Sequence, residues 1–372
     1  MLPTPLGRSQ PVAVAWVGEG HELLYVQPRG TTTIGDQTLL VKHDLDSGEA
    51  EILYYIEGVA WSLDVVEDGQ AILGVDSFRG NLHESSLGPA DEPSRWLTLG
   101  DGLDRQPVYS PDGEWLAFSS NRTGNPDVWA LHRGSGEVRR LTDHPGADWD
   151  PFYTADGRHL VWSSDREDNF EIWIAEVDGR NPRRITEDGY DAENGTLTPD
   201  GRYVIYNSTH PEKSGVWRRD LDSGELLQLA VGLTGVPEVS PDGLYTTVVR
   251  SESLGRSSIE VVRVADGVPT QFHVDCRMDV NLAGALVVGR ARWLPDGSGV
   301  AFVCQGEDRR PGIFVQDFLP DRDTGSTRRY LAGRYEGRIP ESMGSSADGR
   351  DIEVSLNEKR QSSVPAHQRT EV

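Results

Sequence analysis

The chain has 372 residues, of which 36 are Lys or Arg and 60 are Asp or Glu, so its formal net charge at pH 7 is −24. Such acidity favours solubility and disfavours non-specific binding to nucleic acid or to anionic membranes. No cationic, apolar leader opens the sequence and no long apolar run crosses it. We therefore expect a cytoplasmic protein with no nucleic-acid partner and no membrane partner.

Short turns of one pattern, each ending in Asp-Gly, recur along the chain. Including a weaker copy at Gly20, successive final glycines lie between 42 and 54 residues apart. A period in this range indicates stacked supersecondary units, so the chain is an array of repeats. The final glycines are Gly20, Gly69, Gly113, Gly157, Gly201, Gly243, Gly297 and Gly349.

Each turn is followed by a short run of β-branched and aromatic residues, such as Glu114–Phe118 or Arg158–Trp162. These runs predict strands. Most units contain two further strands, as in Asp127–Leu131 and Val138–Thr142. With the strand before the turn, each unit is a four-stranded antiparallel meander. Because radial stacking covers both faces of such sheets, the sequence predicts an all-β protein, a β-propeller.

Eight turns predict eight blades in a single domain covering residues 1–372, with a seven-bladed ring as the alternative. The blades are expected to start near residues 11, 59, 104, 148, 192, 234, 288 and 340. The last blade has two clear strands and a weak third around Ser362–His367. The Pro-rich segment Leu2–Ser9 is expected to supply its missing strand, since an edge position tolerates proline.

Several of these units resemble the repeats of TolB-like β-propellers, which are WD-like repeats without a strict Trp-Asp ending. The likeness is carried by Arg105–Gly113, Ser119–Arg122 and Asn125–Trp129, and it extends over roughly Asp104 to Ala230. The resemblance implies a propeller with a protein-binding or ligand-binding role. Related propellers occur in peptidases and in a metal-dependent pectic lyase family. This chain departs from both, because it has neither a Gly-x-Ser-x-Gly elbow nor a close pair of histidines.

The first strand of each blade is expected to line the central channel, so residues at fixed offsets before the Asp-Gly turns form a ring. Charged and aromatic side chains that converge in a funnel suit a small polar molecule or a peptide end. The alternative is that they form inter-blade ion pairs and pack the first strands. The predicted ligand-binding residues are Trp61, Asp104, Arg105, Asp148, Trp149, Asp150, Glu193, Asn194, Arg290 and Glu341.

The sequence favours a monomeric, non-catalytic propeller that binds a protein or a small polar ligand at the channel mouth. A lyase or hydrolase acting on an anionic or sugar-like substrate is the alternative, with funnel carboxylates and arginines as its machinery. No cofactor is firmly implied; oxygen ligands would suit a divalent cation, Ca²⁺ or Mg²⁺. A scaffolding module of a larger assembly is the third hypothesis. Cys276 and Cys304 are expected to be reduced, with a disulfide as the alternative.

Overall fold

The structure is a computed structural model, and it describes most of the chain. The described residues are 13–17, 20–28, 37–57, 59–66, 70–76, 78–86, 94–167, 169–187, 189–232, 234–253, 256–277, 291–332, 339–346 and 351–359. Within these residues the only helical segment is a 3₁₀ turn at Gly325–Thr327. The chain divides into two units, Met1–Arg79 with Glu358–Val372 and Gly80–Asn357. The interpretation of residues 1–372 as one domain stays a prediction.

The first unit contains one four-stranded antiparallel sheet and one hairpin. Leu24, Val26 and Leu40 of the sheet are buried against Ala60 of the hairpin. The sheet has the order β1 (Ala13–Val17), β2 (Glu22–Pro28), β3 (Gln37–Asp44) and β4 (Ala50–Glu57). The hairpin consists of β5 (Val59–Val66) and β6 (Gln70–Asp76).

The second unit contains five four-stranded antiparallel sheets whose strands are consecutive in the chain. Blade 1 consists of β9 (Asp104–Tyr109), β10 (Trp115–Ser120), β11 (Asp127–His132) and β12 (Val138–Arg140). Blade 2 consists of β13 (Asp148–Tyr153), β14 (His159–Glu167), β15 (Asn169–Glu176) and β16 (Arg183–Arg184). Blade 3 consists of β17 (Ala192–Leu197), β18 (Tyr203–Ser208), β19 (Gly215–Asp220) and β20 (Leu226–Val231).

Blade 4 consists of β21 (Thr234–Val239), β22 (Tyr245–Ser253), β23 (Arg256–Arg263) and β24 (Pro269–Arg277). Blade 5 consists of β25 (Arg292–Trp293), β26 (Gly299–Gln305), β27 (Pro311–Asp317) and β28 (Arg329–Ala332). A sixth sheet, here called the closing blade, joins distant parts of the chain. Its order is β29 (Ile339–Ser345), β30 (Asp351–Lys359), β7 (Phe78–Ser86) and β8 (Arg95–Trp96).

The first strands of these six sheets surround a common axis. They follow one another as β9, β13, β17, β21, β25 and β29, and β29 in turn lies beside β9, so the ring closes. Each first strand begins where the fourth strand of the preceding blade ends, and it runs toward its Asp-Gly turn. We call the end at which the first strands begin the mouth end, and the opposite end the turn end. Loops from strand two to strand three also lie at the mouth end.

The prediction of an all-β propeller of four-stranded antiparallel blades is confirmed. The described residues form seven four-stranded sheets and one two-stranded sheet, and the choice between eight blades and the seven-bladed alternative stays a prediction for the whole chain. The unit expected to start near residue 59 is divided, because β7 and β8 leave the β5–β6 hairpin and pair beside β30. They occupy the positions that Ser362–His367 and Leu2–Ser9 were expected to fill, and those two segments lie outside the described residues.

The Asp-Gly turns are held by a side-chain network that explains their recurrence. Ser110 Oγ donates to Asp112 Oδ1 at 2.5 Å and accepts from the backbone N–H of Trp115 at 3.0 Å. Asp112 Oδ1 also accepts the N–H of Glu114 at 3.0 Å, and Gly113 has φ +72°, which favours glycine. The Ser110 hydrogen bond holds the pKa of Asp112 below its usual value. The same turn recurs at Thr154, Thr198 and Ser240.

Both faces of a blade are buried, because successive residues of a strand point toward opposite neighbours. In β14, Trp162 packs with Ala117 and Val128 of blade 1. The adjacent Val161 packs with Val204 of blade 3 and its neighbours. The strands are therefore near-continuous apolar runs. A sheet with one face in solvent would instead show apolar and polar residues in alternation.

The structure joins Cys276 and Cys304 in a disulfide with a Cα–Cα distance of 5.6 Å. This is the alternative that the sequence left open, and it corrects the expectation of two reduced thiols. The bridge connects β24 of blade 4 to β26 of blade 5, and both residues are buried in the core between these blades. The predicted cytoplasmic location is not tested by this pairing and stays a prediction.

Candidate functional site

The predicted ring coincides with a series of β-bulges in the first strands. Gln106, Asp150, Asn194 and Val236 each lie seven residues before a turn glycine, and their φ angles are +53°, +57°, +58° and +47°. The strand register shifts at these positions. A non-glycine residue in this region costs on the order of 1–3 kcal/mol, so neighbouring contacts must hold it there.

Hydrogen bonds to the preceding blade provide those contacts at three of the four positions. The backbone N–H of Asp150 donates to Ser119 Oγ of blade 1 at 2.8 Å, and that of Asn194 donates to Ser163 Oγ of blade 2 at 3.0 Å. At the closing blade, Gln106 N–H donates to Ser342 Oγ at 2.9 Å. The bulges therefore stitch one blade to the next, which agrees with the inter-blade alternative for the ring.

Two of the predicted carboxylates form ion pairs within their own blades. Arg122 Nη2 lies 2.8 Å from Asp104 Oδ1 and 2.9 Å from its Oδ2. Arg166 Nη2 lies 2.9 Å from both oxygens of Asp148, and Trp162 Nε1 donates to Asp148 Oδ1 at 3.0 Å. Both carboxylates are thus occupied by structural partners.

The arginines of these pairs lie over aromatic rings of strands two and three. Arg166 lies 5.6 Å from the ring centroid of Trp162 and 4.5 Å from that of Trp173. Arg122 is placed in the same way, at 5.1 Å from Phe118 and 5.0 Å from Trp129. Cation–π contacts of this kind add to the ion pair and fix the guanidinium.

Blade 3 lacks both members of the pair. Ala192 stands where the aspartate would be, and His210 stands where the arginine would be. The His210 ring instead packs on Tyr190, with a centroid distance of 4.3 Å. The joint replacement indicates that the aspartate and arginine act as one unit, and it makes the mouth end of blade 3 chemically different.

The other predicted residues are either enclosed or not described. Arg105, Asp150 and Glu193 are buried, and each has further interactions. Trp149 is buried and stacks on Phe170, with 5.2 Å between ring centroids. Asn194 Nδ2 donates to Asn207 Oδ1 at 2.6 Å. The side chains of Trp61 and Glu341, and the whole of Arg290, lie outside the described part of the structure.

The sequence analysis missed the ion pair at the centre of the ring. Arg292 Nη1 lies 2.7 Å from Glu238 Oε2, while its Nε donates to Met343 O at 2.8 Å and its Nη2 to Pro107 O at 3.2 Å. One arginine of β25 therefore links β21, β29 and β9. Arg292 and Glu238 lie five residues before their turn glycines, whereas the predicted ring residues lie seven to nine residues before theirs. The pair therefore connects first strands across the ring.

Asp127 is a second carboxyl group with an unusual environment. Its side chain is fully buried at the start of β11; Arg140 Nη2 lies 2.8 Å from Oδ2, and Oδ1 has no hydrogen-bond partner among the described residues. Burial, and to a lesser extent the nearby charge of Asp148, raises the pKa of Asp127 to about 6 against the opposing charge of Arg140.

The mouth end also displays a row of exposed side chains at intervals of 44 residues, here called the rim row. It follows the fourth strands of the closing blade and of blades 1 and 2, and in blade 3 it is the last residue of the fourth strand. In the first three, a buried threonine (Thr98, Thr142, Thr186) accepts a backbone N–H from strand three at 2.8–2.9 Å. The residue after each of these threonines, and after Ala230 in blade 3, is exposed. The rim row consists of Leu99, Asp143, Glu187 and Val231.

Among the described residues, no group of three or more His, Cys, Asp and Glu side chains is arranged to hold a metal ion. The described part of the chain also contains no helix long and apolar enough to cross a membrane.

A protein-family comparison identifies the repeats. The profile of the TolB β-propeller domain matches residues 8–218 and 94–271, which together span more than half of the chain. The chain belongs to the TolB β-propeller domain family. The TolB-like character expected from the sequence is therefore confirmed.

Individual relatives share only part of their length with this chain. The uncharacterized protein Atu1656 of Agrobacterium fabrum is 45% identical over 47 residues, 13% of this chain and 16% of that protein. The TolB homolog of Chlorobium luteolum is 41% identical over 63 residues, 17% of this chain and 14% of that protein. The matched region thus spans about one sixth of each curated relative.

A solved structure described as TolB from Agrobacterium tumefaciens shares the fold. Its TM-score is 0.56 at 19% identity, and the match covers 76% of this chain and 99% of that one.

Proposed function

We propose that this propeller is a non-catalytic module that binds a protein partner at the mouth end of its second unit. The rim row carries the proposal. Its backbone position is the same in four successive blades, yet its side chains are apolar, acidic, acidic and apolar in turn. A backbone position that repeats from blade to blade, with side chains that differ between blades, suits recognition of one particular partner surface.

The exposure of the rim row supports this role. Leu99 is 80% exposed and Val231 is 66% exposed, and neither contributes to the described core. The acidic side chains between them are exposed and each forms an ion pair with an arginine three residues earlier, Arg140 to Asp143 and Arg184 to Glu187. Single exposed aliphatic residues are ordinary on protein surfaces, so the argument rests on their shared position within the repeat.

The occupied centre of the ring favours a protein over a small ligand. Arg292 joins Glu238 to two further first strands across the ring, and the bulge residues are used for contacts between blades. Asp104 and Asp148 each face an arginine, so neither is available as a general acid or base. These contacts weigh against the alternative of a lyase or hydrolase built on funnel carboxylates, with or without Ca²⁺ or Mg²⁺.

The proposal is tested by capture of partners with matched surface variants. The wild-type protein, Leu99→Asp/Val231→Asp and Leu244→Asp are immobilised, exposed to an extract of the source organism, and analysed by quantitative mass spectrometry. Leu244 is the control, since it is 60% exposed but follows an Asp-Gly turn at the turn end. We expect at least one protein whose retention falls about tenfold only in the double variant, as loss of about 1.4 kcal/mol requires.

A purified partner is then titrated against all three proteins. Equal affinity for the wild type and the rim-row variant would exclude the mouth end as the binding surface. Loss of affinity in Leu244→Asp alone would place the surface at the turn end.

A further inference from the structure

The closing blade contains a buried carboxyl group that lacks the contacts of a charged one. Glu353 of β30 is 0% exposed, and neither of its oxygens accepts a hydrogen bond from a donor among the described residues. Its ion-pair distance to Arg133, from Nε to Oε1, is 4.0 Å. An isolated carboxylate in such a place is costly, and such groups are instead held in the neutral form.

The neighbouring strand holds a second carboxyl group, which forms ion pairs with the two nearest arginines. Glu84 of β7 receives Arg95 Nε on Oε2 at 2.5 Å and Arg133 Nη2 on Oε1 at 2.6 Å. Arg133 Nη2 also lies 2.9 Å from Asp351 Oδ2. Three acidic groups therefore compete for two arginines, and Glu353 has the longest ion-pair distance of the three.

The two carboxyl groups lie at the seam of the ring. Strands β7 and β30 are adjacent in the closing blade although 269 residues separate Glu84 from Glu353. Ile352 and Val354 pack toward blade 5, whereas Ser355, two residues after Glu353 and therefore on its face, donates to Asp104 O of blade 1 at 2.8 Å. The acidic pair thus lies on the face of the closing blade that meets blade 1.

We propose that Glu353 and Glu84 share one proton in the closed ring, and that this proton sets the pH range over which the closing blade stays intact. Glu353 carries the proton and Glu84 carries the charge. Two carboxylates at one buried site cannot both ionise without strong repulsion. Loss of the proton places a second negative charge between β7 and β30 and favours their separation.

The charged groups around Glu353 agree with a protonated Glu353 and an ionised Glu84. Burial, and after it the charge of Glu84, raises the pKa of Glu353 well above its usual value. Burial opposes ionisation of Glu84 too, but hydrogen bonds from Arg95 and Arg133 hold its pKa below the usual value. Asp351 competes for Arg133, and Tyr109 of β9 lies under the Arg133 guanidinium at 5.0 Å from its ring centroid.

The sign of the effect follows from linkage. A carboxyl whose pKa is raised in the closed state contributes its full stabilisation below the pKa of the open state, about 4.3. That contribution is lost as the pH rises toward the pKa of the closed state. The equilibrium constant for separation of β7 from β30 therefore increases up to tenfold for each pH unit in this interval.

The test is hydrogen exchange followed by mass spectrometry from pH 5 to pH 9, with rates corrected for intrinsic exchange. Peptides from β7 and β30 are compared in the wild type, in Glu353→Gln and in Glu137→Gln, an exposed control paired with Arg139 at 2.7 Å. We expect opening to rise with pH in the wild type and in the control, and to be independent of pH in Glu353→Gln.

Two results would overturn the proposal. One is an unchanged pH slope in Glu353→Gln; the other is a loss of protection at every pH, which would mean that Glu353 is charged and paired with Arg133. Should Glu353→Gln fail to fold, infrared spectroscopy of the wild type at pH 7.5 decides the matter. A protonated carboxyl band that disappears on unfolding supports the shared proton, and its absence refutes it.

Discussion

The ion pair between Asp148 and Arg166 allows a quantitative test, because blade 3 provides its natural replacement. The Asp148 side chain is 0% exposed and that of Arg166 is 11% exposed. Replacing Asp148 with Ala leaves a buried guanidinium without its counter-ion and removes the acceptor of Trp162 Nε1. Breaking a buried pair in this way costs about 3–5 kcal/mol of unfolding free energy.

The double variant Asp148→Ala/Arg166→His reproduces the Ala192 and His210 of blade 3. It removes the uncompensated charge at neutral pH, so it should recover about 1–3 kcal/mol relative to Asp148→Ala alone. The assay is urea unfolding followed by tryptophan fluorescence for the wild type, both single variants and the double variant. Glu137→Ala serves as the control, since its exposed pair with Arg139 should contribute less than about 1 kcal/mol.

Additivity of the two single variants would refute the reasoning. It would show that the aspartate and arginine contribute independently, and that their joint absence from blade 3 has no energetic meaning.

Three further predictions concern other contacts. Because the pKa of Asp127 is raised to about 6, its contribution to stability is present below about pH 3.8 and is lost as the pH rises through 6. Asp127→Asn should remove this dependence of the unfolding free energy on pH from a series of unfolding curves. A pH dependence that is retained in the variant would contradict the prediction. The Cys276–Cys304 bridge spans 28 residues, so dithiothreitol should lower the unfolding free energy of the wild type by about 3–4 kcal/mol. It should have no such effect on Cys276→Ser/Cys304→Ser, and equal sensitivity of the two proteins to dithiothreitol would contradict the prediction. Arg292→Met should cost about 3–5 kcal/mol by removing the guanidinium that lies against the Glu238 carboxylate, and Glu238→Gln/Arg292→Met should recover part of this loss in the same assay.

The repeat made most of the fold predictable from sequence. Expected blade starts near residues 59, 104, 148, 192, 234 and 340 agree with first strands that begin at or within one residue of them. The pairing of β7 with β30 could not be predicted, because it joins segments about 270 residues apart and no local pattern records which strands close a ring.

The site was predicted less completely, for reasons that differ between residues. Asp104 and Asp148 were correctly placed at the start of first strands, but their partners were missed. The signal was present, since Arg122 and Arg166 each follow 18 residues later and both members are absent from blade 3. Arg292 was missed because it lies five residues before its turn glycine, closer to the turn than the predicted ring residues. The bulges depend on backbone angles, and residue types alone do not specify those at Gln106 or Val236.

The closing blade has a consequence for the order in which the protein can be made. Blades 1 to 5 each consist of consecutive strands, so the strands of each can pair soon after they are synthesised. Strands β7 and β8 are synthesised before all of these blades, and must wait for β29 and β30, which follow blade 5. Their unpaired edges stay open to wrong partners during that interval. Closure of the ring therefore comes after the synthesis of all five blades, and this one hairpin is the part exposed to mispairing until then.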